Sequence, residues 1–369
     1  MQKIKILYLV STLERKGPTN QLLYLIKNLD SNMFEAKVLT LSKEPENSMQ
    51  VEFEKSGIPV ETLGTGRFSG LLKNKKILKK YLEVYQPSVI QSMGIRADAY
   101  NATFDEKYFR LTTSRNFPPE DYVKKFGKFK GGLMAKKQLG YFKKLAVVSC
   151  SQSIFNQLSQ VGITSEVIQN GVDLDLYTPT KRRYHENNGI KEAGLFVTVG
   201  SLISRKNTKT IVEAFNLLGP RFHLLVVGEG PELDMLKHLS ENENISFLGN
   251  SNQVNDLLIQ ADCFISASSA EGLPNAVLEA LSCDLPVILS DIEPHREIVE
   301  KSIYEKLIFN AFKPEALKEK ILEFLKNRDS FLGQGRDLVS SKFSATQMSK
   351  KYQELYLKKW PQDTHRKKG

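Results

Sequence analysis

The stretch SSAEGLPNAVLEALS, residues 268–282, places two glutamates around the start of one helix. Pro274 suits the first position of that helix, because proline lacks the N–H that a helix start leaves unbonded and already has a helical φ. Glu271 then lies on the loop that enters the helix. Glu279 lies more than a turn inside it among apolar residues, so this stretch predicts one carboxylate on a loop and one that is buried.

The start of this predicted helix suits an oxygen-rich or anionic ligand. Backbone N–H groups at a helix start lack intrahelical partners, and the helix dipole adds positive potential there. We therefore expect the ligand to bind along Gly272, Leu273, Pro274 and Asn275. A buried carboxylate needs hydrogen-bond donors. Because no Arg or Lys is close to Glu279 in the sequence, its predicted partner is a pair of ligand hydroxyls.

The composition is that of a globular protein with two domains. The 369 residues exceed one typical hydrophobic core, and 41% are hydrophobic and 25% charged. No apolar stretch is as long as a membrane span, and we recognise no signal peptide. Three widely spaced cysteines, at 150, 263 and 283, indicate reduced core residues. We expect a cytoplasmic protein.

Short apolar runs alternate with helical segments in both halves, which predicts doubly wound α/β domains with parallel sheets. In such sheets ligands bind at the carboxyl ends of the strands. The predicted strands are Ile4–Val10, Ala36–Leu41, Val60–Leu63, Ser88–Gln91, Leu111–Ser114 and Leu145–Ser149 in the first half, and Leu195–Val199, Phe222–Val227, Ile245–Leu248, Cys263–Ser266 and Pro286–Leu289 in the second.

Candidate binding residues follow several of these strands. Arg205 and Lys206 follow the first strand of the second half and suit a diphosphate, because Arg can bind two oxygens at once and Lys acts as a point charge. Arg115 and Asn116 follow strand 111–114. An Arg there can hold a phosphate or sugar oxygen, but it cannot serve as a base because it stays protonated. Gly17, after the first strand, lets the backbone approach a ligand closely.

The net charge of +10 is carried almost wholly by the first half. Residues 1–179 have a balance of +9, and eight lysines between Tyr122 and Ser165 have no acidic residue among them. Three interpretations are open: a solvated helix, a nucleic-acid groove, or a segment on an anionic membrane. We favour the membrane, because each Lys near an anionic leaflet adds about 1 kcal/mol of attraction. Gly131, Gly132 and Gly140 argue against one uninterrupted helix here.

Several motifs together resemble a known family. The run Glu271-Gly272-Leu273-Pro274…Glu279-Ala280-Leu281…Leu285-Pro286-Val287…Ser290-Asp291 resembles the E-x7-E signature of the retaining GT-B glycosyltransferases, glycosyl transferases group 1. Residues 200–206 resemble the G-x-L-x-x-x-K segment of that family, and residues 170–173 resemble its N-G-V-D segment. The resemblance is strong over residues 190–300 and rests mainly on pattern in the first half.

The resemblance implies a GT-B fold of two doubly wound, Rossmann-like domains. Residues 1–178 would bind the acceptor, residues 179–343 would bind the nucleotide sugar, and residues 344–369 would form a helix that returns to the first domain and a basic tail. It also implies a retaining transfer from a nucleotide-diphosphate sugar to a glycan or lipid-linked acceptor, as in bacterial-type polysaccharide assembly. Neither a metal nor another cofactor is expected.

The same resemblance implies roles for particular residues. Glu271 would hold hydroxyls of the donor sugar and stabilise the cationic sugar, and Glu279 would bind the ribose hydroxyls. Lys206 matches the phosphate-binding Lys of the family, and Arg205 supplies the second cation, together stabilising the leaving diphosphate. The loops that contain Gly228 and Asn250 would line the nucleotide base.

The first half departs from the family pattern at two places. Gly17 is followed by Pro18 in place of the usual second glycine of a loop that approaches the donor phosphates. Arg115 and Asn116 occupy the place where many members have a His, so no His role is carried over. Asp173-Leu174-Asp175 looks like the metal-binding D-x-D of another fold, but Asp173 belongs to the N-G-V-D match and we predict no metal there.

Two other functions are compatible with parts of this pattern. A GT-B nucleotide-sugar epimerase or phosphorylase would share the donor site, and would form products from a nucleotide sugar without an acceptor. A non-catalytic binding protein would use the basic half on a membrane or on nucleic acid. The two carboxylates argue against nucleic acid, which needs neither. We expect a cytoplasmic enzyme, with the inner face of the membrane as a possible peripheral location.

Overall fold

The structure is a computed structural model, and it describes residues 3–65, 71–179, 194–241 and 243–359. The chain divides into two compact units. The first comprises Met1–Gly171 and Ala345–Gly369, and the second comprises Val172–Ser344. Each unit is built on one parallel β-sheet. This confirms the predicted α/β fold class with two Rossmann-like sheets.

Strands and helices alternate along the whole chain. The strands are β1 Ile4–Val10, β2 Phe34–Thr40, β3 Val60–Thr62, β4 Val89–Met93, β5 Phe109–Ser114, β6 Ala146–Ser149, β7 Glu166–Val167, β8 Leu195–Val199, β9 His223–Val227, β10 Ile245–Gly249, β11 Cys263–Ser266, β12 Val287–Ser290 and β13 Ile308–Phe309. The α-helices are α1 Gly17–Lys27, α2 Gln50–Lys55, α3 Leu71–Tyr85, α4 Ile95–Asn101, α5 Pro118–Phe126, α6 Lys128–Phe142, α7 Gln152–Gln160, α8 Thr208–Leu218, α9 Leu233–Leu239, α10 Val254–Gln260, α11 Asn275–Ser282, α12 Glu293–Val299, α13 Pro314–Lys326, α14 Gly335–Lys342 and α15 Ala345–Lys359.

The sheet of the first unit has the order β3-β2-β1-β4-β5-β6-β7, with all pairs parallel. Its inner strand β1 is apolar and buried from Ile6 to Val10, because both faces of the sheet are covered there. Ile6 and Tyr8 pack with α1 and α15, whereas Leu7 and Leu9 pack with α3 and α4 on the other face. Successive side chains of a strand point to opposite faces, so one continuous apolar run serves two cores.

The last helix, α15, completes the core of the first unit. Tyr352 and Tyr356 are fully buried against the sheet. The Tyr356 hydroxyl donates to Oε1 of Gln91 and lies 3.2 Å from the Tyr8 hydroxyl, while the Tyr352 hydroxyl lies 2.8 Å from Oγ1 of Thr113. A chain of buried hydroxyls therefore fixes α15 to β1, β4 and β5, since each would be costly to bury alone.

The lysine-rich stretch 124–144 is not one uninterrupted helix, as predicted, but α6 runs through Gly131, Gly132 and Gly140, which were expected to interrupt it. The break lies earlier, at Gly127, whose φ is 79°. Gly131 is buried inside α6, and a Cβ there would lie 2.2 Å from the carbonyl oxygen of Tyr122. The glycine is needed because the backbones of α5 and α6 touch.

The second unit has the sheet order β10-β9-β8-β11-β12-β13, again all parallel. It begins at Val172, seven residues before the predicted boundary. Arg336 explains the difference, because its guanidinium donates to the carbonyl oxygens of Leu174 and Tyr177 at 2.9 and 2.8 Å and holds this segment on the second unit. From its polar, proline-containing sequence, segment 177–194 is predicted to be the interdomain crossover, and residues 365–369 are predicted to be a frayed tail. Residues 180–193 and 365–369 lie outside the described residues.

Candidate active site

The carboxyl ends of β8, β9 and β11 in the second unit surround a small cavity. Its lining includes Gly200 and Lys206 after β8, Ser266 and Ser268 at and after β11, and Pro274 at the entrance to α11. This is the edge of the sheet where a doubly wound domain binds its ligand. The residues predicted for the donor diphosphate and for the donor sugar therefore lie at one edge of one sheet.

Glu271 lies on the loop before α11, as predicted, and its carboxylate is paired with both predicted cations. Nη1 of Arg205 is 2.6 Å from one carboxylate oxygen, and Nζ of Lys206 is 2.6 Å from the other. Oγ of Ser268 donates to the second oxygen at 2.8 Å. Burial alone would raise the pKa of Glu271, but the charges of Lys206 and Arg205, with the hydrogen bonds, lower it to about 2. The carboxylate is therefore ionised at neutral pH.

The sequence did not predict that these three side chains bind one another. They meet because β8 and β11 are neighbours in the sheet, so the loops that follow the two strands lie side by side. Backbone contacts also fix the pairing, since the Arg205 carbonyl oxygen accepts the N–H of Ser269 at 2.8 Å and the Arg205 side chain donates to the carbonyl oxygen of Ala270 at 2.6 Å. Ser268 carried no sequence signal of its own.

Glu279 is buried inside α11, as predicted, with 8% of its surface exposed. Burial raises its pKa to about 7, although a hydrogen bond from Tyr177 and the charge of Lys206 act in the opposite direction. Tyr177 was missed, because it lies in the segment assigned to the interdomain crossover. The helix itself begins at Asn275, one residue later than predicted, so Pro274 is its N-cap, with a ψ of 110°, and not its first helical residue.

The loops after β8, β9 and β10 contact one another through glycines. Gly228 has a φ of 138°, and a Cβ at this position would lie 2.0 Å from the carbonyl oxygen of Gly200. Its N–H donates to the carbonyl oxygen of Gly249 at 2.8 Å. Beside them, the Asn250 amide donates to Glu229 at 2.8 Å. The predicted base-binding residues Gly228 and Asn250 thus lie on adjacent loops.

The predicted residues of the first unit lie at the carboxyl ends of its strands. Gly17 is the first residue of α1. The Arg115 side chain, after β5, donates to the side chain of Asn170, and Nε of Arg115 is buried without a hydrogen-bond partner. The next residue, Asn116, is half-buried and its carbonyl oxygen accepts from Ser114 at 2.9 Å.

One basic residue at this edge was missed by the sequence analysis. Arg96 lies at the start of α4, and its guanidinium donates to the side chain of Ser42 and to Oγ1 of Thr65 at 3.0 Å. It was overlooked because the predicted strand ended at Gln91, two residues too early. Recognising the end of β4 at Met93 would have placed Arg96 among the strand-end residues.

Across residues 3–65, 71–179, 194–241 and 243–359, no group of three or more His, Cys, Asp or Glu side chains is arranged to hold a metal ion. In the D-x-D segment, Oδ1 of Asp173 accepts the N–H groups of Asp175 at 3.1 Å and Leu176 at 3.2 Å. Asp173 thereby caps a turn, a common local role of aspartate.

Comparison with known proteins connects this site to a family. Residues 180–335 match the sequence profile of the family described as Glycosyl transferases group 1. The O-antigen biosynthesis glycosyltransferase WclY of Escherichia coli is 24% identical over 366 residues, which cover 96% of this chain and 98% of WclY. The UDP-Gal:alpha-D-GlcNAc-diphosphoundecaprenol alpha-1,3-galactosyltransferase of Escherichia coli is 31% identical over 148 residues, 36% of this chain and 38% of that enzyme.

A solved structure supports the fold over nearly the whole length. The crystal structure of Anabaena Alr3699/HepE in complex with UDP-glucose matches with a TM-score of 0.81 at 18% identity, over 96% of this chain and 99% of HepE. The profile match includes Arg205, Lys206, Glu271 and Glu279, and the similarity to WclY extends through both units. The part of the chain that carries this site, residues 180–335, therefore matches the Glycosyl transferases group 1 family, and the protein is a glycosyltransferase with the GT-B fold.

Proposed function

We propose that this glycosyltransferase moves a sugar from a nucleotide-diphosphate sugar to a glycan or lipid-linked acceptor, with retention of the anomeric configuration, in the assembly of a bacterial-type polysaccharide. The observation that carries the proposal is the cluster of Arg205, Lys206 and Glu271 at the cavity of the second unit. WclY is named for O-antigen biosynthesis, the galactosyltransferase for a diphosphoundecaprenol acceptor, and HepE was solved with UDP-glucose. These names favour a nucleotide-sugar donor and a polysaccharide product.

The two cations suit the leaving group. Breaking the bond between sugar and diphosphate places growing negative charge on the departing oxygen, and preorganised cations stabilise that charge more in the transition state than in the substrate. Arg205 and Lys206 side chains are only 20% and 23% exposed, so water weakens their effect less than it would on the surface. Glu271 balances one of their two charges.

Glu271 has a different part in this proposal. With a pKa of about 2 it holds no proton at neutral pH, so it cannot protonate the leaving group. It can accept hydrogen bonds from hydroxyls of the donor sugar and stabilise positive charge that develops on the sugar ring. Glu279, buried further inside α11, would accept the ribose hydroxyls. These hydroxyls supply donors that a buried carboxylate needs when it is ionised.

We further propose that the reaction needs no bound metal, because Arg205 and Lys206 already supply positive charge at the diphosphate. A chelator should leave transfer by the wild type unchanged. Loss of transfer in the chelator that a divalent metal restores would overturn this part of the proposal and reopen a metal role for Asp173 and Asp175.

The acceptor side is assigned to the first unit, at the carboxyl edge of its sheet. Arg115 has a buried Nε without a partner, and its guanidinium donates to the neutral side chain of Asn170. Such a cation suits a phosphate or sugar oxygen of the acceptor. Asn116 lies beside it, and Gly17 begins the helix after β1, where its backbone would approach the donor phosphates.

A peripheral contact with an anionic membrane is also proposed. Phe129 is 91% exposed and Leu133 is 52% exposed on α6, among its lysines. Gln138 of α6 donates to Asp98 of α4, and α3 packs on the same face of the sheet as α4. Helix α3 adds the exposed residues Lys75, Lys76, Lys79 and Lys80. In the described part of the chain, none of the helices has the length and hydropathy needed to cross a membrane. Exposed aromatic side chains among lysines suit the surface of an anionic bilayer.

Activity is tested by measuring release of nucleoside diphosphate over a panel of nucleotide sugars, with the anomeric configuration of the product determined by NMR. Glu271→Gln should keep the fold and lose most transfer, whereas Glu293→Gln, an exposed glutamate on α12, serves as the matched control. An inverted product would overturn retention. Wild-type turnover in Glu271→Gln would overturn the role of the carboxylate, and products formed without any acceptor would favour an epimerase.

The membrane contact is tested by sedimentation with liposomes. The wild type should bind vesicles containing anionic lipid and detach at 1 M salt, where the Debye length is about 3 Å. Replacing lysines 124, 125, 128 and 130 by Gln should reduce binding without affecting transfer to a soluble acceptor analogue. Replacing lysines 350, 351, 358 and 359, which lie on α15 against the opposite face of the sheet, is the control. Equal binding by both variants would contradict the proposal.

A further inference from the structure

His295 lies behind the Glu271 loop, on α12, and is completely buried. Its Nδ1 is 2.9 Å from the carbonyl oxygen of Ser290, and its Nε2 is 3.3 Å from Oγ of Ser266. Oγ of Ser266 is in turn 3.4 Å from Oγ of Ser268, the hydroxyl that donates to Glu271. A line of polar atoms thus connects a buried imidazole with the carboxylate of the proposed site.

The hydrogen-bonding groups determine where each proton lies. A carbonyl oxygen can only accept, so the short contact with Ser290 places a proton on Nδ1 of His295. The Ser290 hydroxyl does not donate its own proton to Nδ1, because it donates to the carbonyl oxygen of Ser268 at 2.6 Å. In the neutral ring Nε2 is then an acceptor, and the hydroxyl that can donate to it is Ser266.

These proton positions determine which hydrogen bonds the Ser268 hydroxyl can make. A carboxylate only accepts, so Ser268 gives its proton to Glu271. Because Ser266 gives its single proton to the imidazole, the lone pairs of Ser268 receive no proton from Ser266. Ser268 lines the cavity, so those lone pairs can accept from a hydroxyl of a ligand.

This arrangement matters when the donor binds. Three groups hold the Glu271 carboxylate: Arg205, Lys206 and Ser268. A bound diphosphate competes for the two cations. Ser268 is then the neutral donor that remains on the carboxylate, and its position depends on the residues behind it. Ser290 fixes its backbone, and His295 fixes the hydroxyl of Ser266 beside it.

We infer that His295 is a positioning residue of the transfer reaction, a neutral imidazole that takes the Ser266 proton and so keeps Ser268 aimed at Glu271 and open to a ligand hydroxyl. The inference rests on the proposed function of the Glu271 site. Burial lowers the pKa of His295 to about 4, with the Ser290 contact and Glu271 acting in the opposite direction and Lys206 adding to the decrease. The ring is therefore neutral at the pH where the enzyme would be assayed.

Two substitutions at His295 separate its two hydrogen bonds. Asn places an amide near the Nδ1 position and retains only the bond to Ser290. Gln reaches towards the Nε2 position and retains an acceptor for Ser266. We expect His295→Asn and Ser268→Ala to lower kcat about tenfold, as for one hydrogen bond to a charged group, with KM for the donor changed less than about twofold. His295→Gln should retain more of kcat than His295→Asn.

The matched control is His238, which is exposed on α9. His238→Asn and His238→Gln should both leave kcat and KM unchanged. If His295→Asn and Ser268→Ala turn over like the wild type, or if they raise KM while kcat stays constant, the inference is wrong. Equal loss of kcat in His295→Asn and His295→Gln would also overturn it, because the Ser266 contact would then be irrelevant.

Nitrogen NMR gives a readout that does not depend on activity. The ring nitrogens of His295, assigned by their disappearance in His295→Gln, should show a neutral ring with the proton on Nδ1 from pH 8 to pH 6. Ser266→Ala should shift the Nε2 resonance, since that atom loses its donor. A proton on Nε2, or an unchanged resonance in Ser266→Ala, would refute the inference. A wild type that transfers no sugar while showing the expected spectrum would refute the proposed function alone.

Discussion

Replacing Glu279 by Gln is expected to stabilise the ligand-free protein and to weaken nucleotide binding. In the folded protein the pKa of Glu279 is raised from 4.5 to about 7, mainly by burial. Each tenfold change in proton affinity is worth about 1.4 kcal/mol, so ionising this carboxyl at high pH costs the folded state about 3 kcal/mol. Gln keeps the volume and an acceptor for Tyr177, and it never ionises.

The sign of the pH dependence follows from the raised pKa. The folded chain binds the proton more tightly than the unfolded chain, so this contribution to stability is fully present below pH 4.5 and is lost as the pH rises through about 7. The advantage of Glu279→Gln should therefore be about 2 kcal/mol larger at pH 8.5 than at pH 5.5. For a unit of this size, a total gain of about 3 kcal/mol corresponds to roughly 6–12 °C in Tm.

Calorimetry at the two pH values, with and without UDP, tests both parts of the prediction. The exposed substitution Glu319→Gln on α13 is the control. UDP should raise Tm of the wild type by mass action and should raise that of Glu279→Gln much less, because the carboxylate would no longer bind the ribose. A lower Tm for the variant at pH 8.5, or the same gain at both pH values, would refute the reasoning about burial. Equal protection by UDP would refute the ribose contact.

Three other substitutions test the fold and the loops. Burial raises the pKa of Asp98, on α4, to about 6. Asp98→Asn should therefore raise the free energy of unfolding in urea at pH 8 but not at pH 4. The gain is reduced because the Gln138 amide, which donates to the Asp98 carboxylate, would face an amide in the variant. Tyr356→Phe removes the donor to Gln91 inside the first unit and should lower the free energy of unfolding by about 1–3 kcal/mol, whereas unchanged stability would contradict the network. Gly228→Ala should abolish UDP binding in calorimetric titration, because its Cβ would lie 2.0 Å from a backbone oxygen of the adjacent loop.

The fold was largely predictable because the hydrophobic patterns of strands and of helices are both set by residues that are close together in the sequence. The predicted β1, β8 and β11 have the observed bounds, since each is a mainly apolar run between polar segments. The two-residue strands β7 and β13 were missed because they are too short to show a pattern. The lysine-rich helix was predicted to break at its glycines, but close packing between α5 and α6 requires Gly131 and outweighs its low helix propensity.

Features of the site that depend on neighbouring residues in the sequence could be predicted. Contacts that depend on the order of strands in the sheet could not. The loop position of Glu271 and the burial of Glu279 could be inferred from the residues around them. The ion pairs of Glu271 with Arg205 and Lys206 could not, because residues more than sixty positions apart meet only through the adjacency of β8 and β11. Tyr177 reaches Glu279 across about a hundred positions because Ser282 and Arg336 donate to its carbonyl oxygen and hold it beside α11.

The attachment of α15 to the first sheet has a consequence for the order of events at the ribosome. The second unit is one continuous stretch of chain and can fold as soon as it emerges. The first unit cannot finish folding before α15 is made. Tyr8 and Gln91 contact the hydroxyl of Tyr356, which is synthesised more than 250 residues after Gln91. Until then the apolar groove that receives α15 faces water. Strand β1, the earliest strand of the nascent protein, is therefore among the last to be fully buried.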